Sequence, residues 1–109
     1  KGIETQMLQL IPSRAFDVDI LKVGHHGSKT STSAEFLKAA SPLVSLISVG
    51  VNNTYGHPTA EVLARLKTAS IFRTDTQGTV SFLSHGDSWR VRCGNKPHLL
   101  FAQHLCINR

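Results

Sequence analysis

The sequence predicts an α/β layered fold, a βαβα unit followed by a short antiparallel meander. Three observations predict it. Residues 18–23 and 43–49 are nearly continuous apolar runs, the pattern of strands buried on both faces. Each run leads through a polar loop into a segment with helical spacing of its apolar residues. Beyond residue 70 the period shortens to two, and turn residues separate short strands.

Taken in order, the first element is a helix over residues 3–11. Ile3, Met7, Leu10 and Ile11 share one face, and Pro12 closes it. The strand at 18–23 follows, then Gly24-His25-His26-Gly27-Ser28 and the polar loop 29–33. Thr32 and Glu35 have the spacing of a capping box, which starts a helix over 33–40. Ser41-Pro42 ends that helix, and the strand at 43–49 runs into a second loop, 50–58, dense in Gly, Asn and Pro. Pro58 sits in the first turn of a helix over 59–69, whose packing stripe is Val62, Leu63 and Leu66. The meander comprises strands at 70–74, 79–84 and 88–93, with turns at 75–78 and 85–87. Along its last strand Trp89, Val91 and Cys93 face one way and Arg90 and Arg92 the other. Residues 1–93 thus form the organised part, and 94–109 a tail whose one apolar stretch is 99–102.

Composition bounds the function. A chain of 109 residues with 40% hydrophobic and 17% charged residues is one ordinary globular domain, not a disordered segment. No apolar run approaches the roughly 20 residues that span a bilayer, and no signal-peptide pattern is present. The chain begins with Lys1 rather than Met, which reads as a processed product or an excised piece. Twelve Lys and Arg against seven Asp and Glu give a net charge of +5, which suits a polyanionic partner; mildly basic domains without such a partner are equally common. Two cysteines, Cys93 and Cys106, are too few for a zinc cluster of known spacing. They pair in an oxidising compartment or remain as two buried thiols.

The chemistry gathers on histidine. His25, His26 and His57 lie in the loops that follow the two buried strands, and right-handed βαβ connections bring such loops to the same sheet end. Neutral imidazole is the commonest side-chain metal ligand, and a site of N and O donors suits zinc or manganese. A complete site needs carboxylates or further histidines. Asp17 and Asp19 sit at the wrong end of their strand, while Asp75 and Asp87 read as turn residues. The chain supplies part of a metal site.

The run Leu21-Lys22-Val23-Gly24-His25-His26-Gly27-Ser28-Lys29-Thr30-Ser31 resembles a signature of the metallo-β-lactamase-fold hydrolases found in DNA-uptake competence proteins of the ComEC type. Ile47-Ser48-Val49-Gly50, Asn52-Asn53 and Tyr55-Gly56-His57-Pro58 resemble the second signature of that group, and Phe72-Arg73-Thr74-Asp75 follows in order. The resemblance covers about residues 3–84. It implies part of an αββα sandwich with one or two divalent ions at the sheet edges. It further implies His26 as a metal ligand, His25 and His57 as catalytic groups, and Asn52, Asn53, Ser28, Lys29 and Thr30 as donors to a substrate phosphate. From the residues alone other readings stay open: His25 hydrogen-bonded to a backbone carbonyl, Asn52 and Asn53 as turn residues, Tyr55 as a packing residue.

Enzymes of that kind carry an HxHxDH segment, a further His and a bridging Asp, and none of these occurs here. The expectation is therefore the C-terminal half of such a domain, with the bridging Asp just before Lys1. The parent would hydrolyse DNA phosphodiester bonds with zinc or manganese, and this piece alone would be inactive, its metal site empty or weakly held. Its partners would be DNA, the missing N-terminal half, and a second copy through an exposed sheet face. The parent would be a cell-membrane protein with this domain outside the cytoplasm, the piece itself soluble. Two other functions remain: a different phosphodiesterase or esterase of the same fold, or a non-catalytic nucleic-acid-binding module.

Overall fold

A computed structural model of the chain describes residues 2–12, 15, 17–86 and 88–94, and the backbone of 99–100. Helix α1 (Gly2–Leu10) precedes strand β1 (Ile20–Lys22). Helix α2 (Ala34–Ala40), strand β2 (Val44–Ile47), helix α3 (Ala60–Leu66) and strand β3 (Ser70–Arg73) complete the first half. A single helical turn, α4 (Thr74–Gln77), leads into β4 (Val80–Ser84), β5 (Trp89–Cys93) and β6 (Leu99–Leu100). Strands β1, β2 and β3 form one parallel sheet in that order, and β4, β5 and β6 form an antiparallel sheet. The fold is mixed α/β, with a parallel βαβαβ unit and a meander; the strand at 70–73, expected in the meander, instead pairs parallel with β2, and β6 is the meander's third strand.

Alternation along β2 explains how the layers meet. Val44 packs with Phe72 of β3 and with Val91 and Cys93 of β5, and Ile20, Leu46, Val80 and Phe82 lie against them. This cluster joins one face of the parallel sheet to the meander. Ile47 points the other way, into a cluster with Val23, Val49, Val62 and Leu66, covered by Leu37 and Leu63 from the two helices. The expected stripe Val62, Leu63, Leu66 is the packing face of α3. On β5, Val91 and Cys93 are buried while Arg90 and Arg92 are exposed, as the alternation predicts.

Several boundaries differ from expectation for identifiable reasons. Strand β1 has three residues instead of six and is only partly buried, because it has one neighbour, β2. Helix α2 is capped by Ser33, whose hydroxyl accepts from the Phe36 amide, and not by Thr32. Thr32 has φ 57° and its amide donates to the Glu4 carboxylate at 2.7 Å, so it lies outside the helix. The same carboxylate accepts from Ser33 at 3.0 Å and fastens α1 to the start of α2. Thr59 caps α3 by accepting from the Val62 amide, which places Pro58 before the cap rather than in the first turn. Helix α1 buries none of its residues, and Ile3 and Leu10 are exposed. The expected turn at 75–78 is instead the helical turn α4 ending at Gly78. Strand β6 falls within the apolar stretch 99–102 and pairs with β5. No described cysteine is free, and Cys106 and Asp87 lie outside the described residues.

Candidate functional site

Parallel strands deliver three loops to one edge. The segment after β1 carries His25 and His26, the loop after β2 carries Asn52 to His57, and Thr74 and Asp75 follow β3. Two devices lock these loops together. Gly27, at φ 85°, lies so close to the second loop that a Cβ there would sit 2.5 Å from the Cβ of Pro58. Its carbonyl accepts from the Thr59 amide at 3.0 Å. Across the other seam, the Thr74 hydroxyl accepts from the Val49 amide at 2.9 Å and donates to the Val49 carbonyl at 3.0 Å.

Both histidines of the pair adopt the left-handed conformation, His25 at φ 49° and His26 at φ 54°. Few non-glycine residues do so, and such backbone persists where surrounding contacts hold it. Here the hold comes from both sides of the segment. The Val23 amide donates to Leu46, the Ser28 amide to the His25 carbonyl, and the Ser31 hydroxyl to the Gly24 carbonyl at 2.8 Å.

The geometry turns the two imidazoles to different partners. His26 Nδ1 lies 2.7 Å from the Ser48 carbonyl oxygen. A carbonyl only accepts, so Nδ1 carries the proton and Nε2 of the neutral ring keeps its lone pair. His26, Val49, Gly50, Asn53, Tyr55 and His57 line a pocket of about 180 Å³. His25 Nδ1 instead lies 3.2 Å from the Thr30 hydroxyl. Its ring meets that of His57 edge-on, 5.7 Å between centroids. Of the residues expected to bind phosphate, Lys29 is exposed, while Ser28 is buried with its hydroxyl against Thr30 at 2.9 Å. The Asn53 amide donates to the carbonyls of Gly50 and His57 and accepts from the His57 amide, so its polar atoms hold the loop. Asn52 is exposed at φ 62°, a turn position.

Two residues of this edge acquire roles that the sequence alone did not show. Tyr55 is 81% exposed, which overturns its reading as a packing residue, and its ring stacks on His57. Asp75 is more than a turn residue, since both carboxylate oxygens pair with the Arg73 guanidinium, at 3.0 and 2.7 Å. That hydrogen-bonded guanidinium holds the Asp75 carboxyl below its ordinary range despite the opposing effect of burial. Imidazole donors suit zinc or manganese, yet no group of three or more His, Cys, Asp or Glu able to hold a metal assembles among the described residues. With Nδ1 turned to Ser48, the donor atom that the His26 ring of this edge offers is Nε2.

Comparison with known proteins gives three similar segments. The chain is 43% identical over 81 residues to ComE operon protein 3 of Bacillus subtilis, covering 72% of this chain and 10% of that protein. It is 45% identical over 65 residues to competence protein ComA of Neisseria gonorrhoeae, covering 58% of this chain and 9% of that protein. It is 49% identical over 49 residues to recombination protein 2 of Haemophilus influenzae, covering 45% of this chain and 6% of that protein. The chain thus spans at most a tenth of the length of these relatives. No family model matches the chain, and no solved structure matches it.

Proposed function

We propose that this chain is the C-terminal half of a metallo-β-lactamase-like domain in a competence-related DNA-uptake protein, and that the completed domain hydrolyses DNA phosphodiester bonds. One observation carries the reading. The two signature loops are locked at Gly27 and Pro58, 31 positions apart in sequence, so that His26 and His57 line one pocket. The names of the relatives, ComE operon protein 3, competence protein ComA and recombination protein 2, support the DNA-uptake setting.

Each residue of the edge then has a task. The Ser48 carbonyl fixes the His26 tautomer, which leaves Nε2 to hold a zinc or manganese ion. A divalent ion supplies a nucleophile at neutral pH and neutralises phosphoryl charge. His57, fixed through its backbone by Asn53, and His25, in ring contact with it, are placed to move protons at the substrate. Lys29 offers an exposed ammonium to a phosphate. The remaining ligands come from the N-terminal half, so the 109-residue chain alone does not catalyse. The parent is a membrane protein with this domain outside the cytoplasm; no described helix is long and apolar enough to cross a membrane.

The decisive experiment uses the full-length parent with labelled single- and double-stranded DNA and a panel of small phosphodiesters, with and without zinc or manganese. We expect metal-dependent DNA cleavage that falls at least 100-fold in His26→Ala. Cleavage unchanged by His26→Ala overturns the assignment, and preference for a small diester moves it to another phosphodiesterase or esterase of this fold. DNA binding without cleavage in the parent leaves the non-catalytic binding module, which the +5 charge favours.

A further inference from the structure

We infer that Tyr55 is a stacking platform for an unpaired nucleobase at the mouth of the His26–His57 pocket, which makes single-stranded nucleic acid the preferred ligand of this edge. The inference rests on the phosphodiesterase reading and goes beyond it to the form of the substrate. Tyr55 is the only tyrosine of the chain, and a tyrosine ring ordinarily buries most of its area. This one is 81% exposed, although it lines the pocket. The ring lies 6.0 Å from that of His57 with an interplanar angle of 26°. One face is therefore backed by an imidazole, and the exposure leaves the other face to solvent.

The support behind the ring is rigid. His57 accepts from Asn53 through its carbonyl and donates to it through its amide, and the His57 ring abuts His25. Tyr55 is thus the outer member of a row of three rings that begins at His25. An exposed aromatic face on a fixed backing, beside a pocket read as phosphodiester-binding and on a chain of net charge +5, matches how proteins hold single strands. Duplex bases are already stacked on one another, so only an unpaired base presents a free face.

The test measures binding of fluorescein-labelled oligothymidylate to the 109-residue chain by fluorescence anisotropy at low salt. A second probe has the same length and phosphates but abasic sites throughout. Tyr55→Ala, at an exposed position, is expected to weaken oligothymidylate binding about tenfold or more, whereas Tyr55→Phe retains it. The abasic probe should bind wild type about as weakly as oligothymidylate binds Tyr55→Ala. Equal affinity of wild type for the two probes, or an unchanged affinity in Tyr55→Ala, overturns the platform while leaving the phosphodiesterase reading intact. Absence of binding to either probe also overturns it. Cleavage by the parent, measured separately, decides the phosphodiesterase reading on its own.

Discussion

At the scale of single residues, Gly27 decides whether the two loops form one site. Its φ of 85° disfavours any residue with a Cβ, and an added Cβ would meet Pro58 at 2.5 Å, where no flexible side-chain end gives way. Gly27→Ala is therefore expected to cost about 2–4 kcal/mol, from left-handed strain and overpacking together. Urea unfolding followed by circular dichroism measures the loss, and a midpoint within error of wild type would show that the loops do not meet there. The importance of this glycine was only half readable from the sequence. Two glycines around a histidine pair signal a close approach, yet nothing local names Pro58, 31 positions away, as what approaches. The same limit applies to Tyr55 and Asp75. Exposure and ion pairing are properties of the assembled edge, so a ring that reads as a packing residue emerges on the surface. A carboxylate that reads as turn chemistry emerges bound to Arg73.

At the scale of elements, periodicity was a good guide to which segments are helix and strand, and a poorer one to where they stop. The placement of His25, His26 and His57 at one edge follows from two apolar runs with helices between them, and the parallel pairing of β1, β2 and β3 realises it. Ends depend on competition the sequence does not display. Ser33 replaces Thr32 as a cap because Thr32 is held at φ 57°, outside the helix, while the Ser33 hydroxyl is placed to accept from the Phe36 amide. A like contact joins β3 to the histidines: Thr74 grips both backbone groups of Val49, the residue after the carbonyl that orients His26. Thr74→Val keeps the shape and removes the grip. The expected outcome is that the His26 ring, Nδ1-protonated in wild type, shifts toward the Nε2-protonated form, while Thr74→Ser preserves the wild-type state. Nitrogen-15 chemical shifts of the ring report this directly. A tautomer indifferent to Thr74→Val would mean that Ser48 is held by other contacts. Where the shift occurs, metal affinity of the parent should fall about 10–100-fold.

At the scale of the whole molecule, the quantity that matters is how charge and stacking divide the attraction to nucleic acid. The +5 charge is visible from composition, but composition does not say which cations meet phosphate. The fold narrows this. Arg73 is bound to Asp75 and Arg65 to Glu61, whereas Lys29 stands exposed in the histidine segment. Phosphate contacts and base stacking respond differently to salt, because only the former release counterions. Each phosphate neutralised on a single strand contributes about 0.7 to the slope of log affinity against log salt. Lys29→Ala is therefore expected to flatten that slope by about 0.7 for oligothymidylate. Tyr55→Ala should lower affinity at every salt concentration with the slope unchanged. Anisotropy titrations over a range of sodium chloride concentrations separate the two. A slope altered by Tyr55→Ala and untouched by Lys29→Ala would reverse the roles given to these residues. The exposed ring would then act through the placement of neighbouring charges, and the phosphate would be met elsewhere on the molecule.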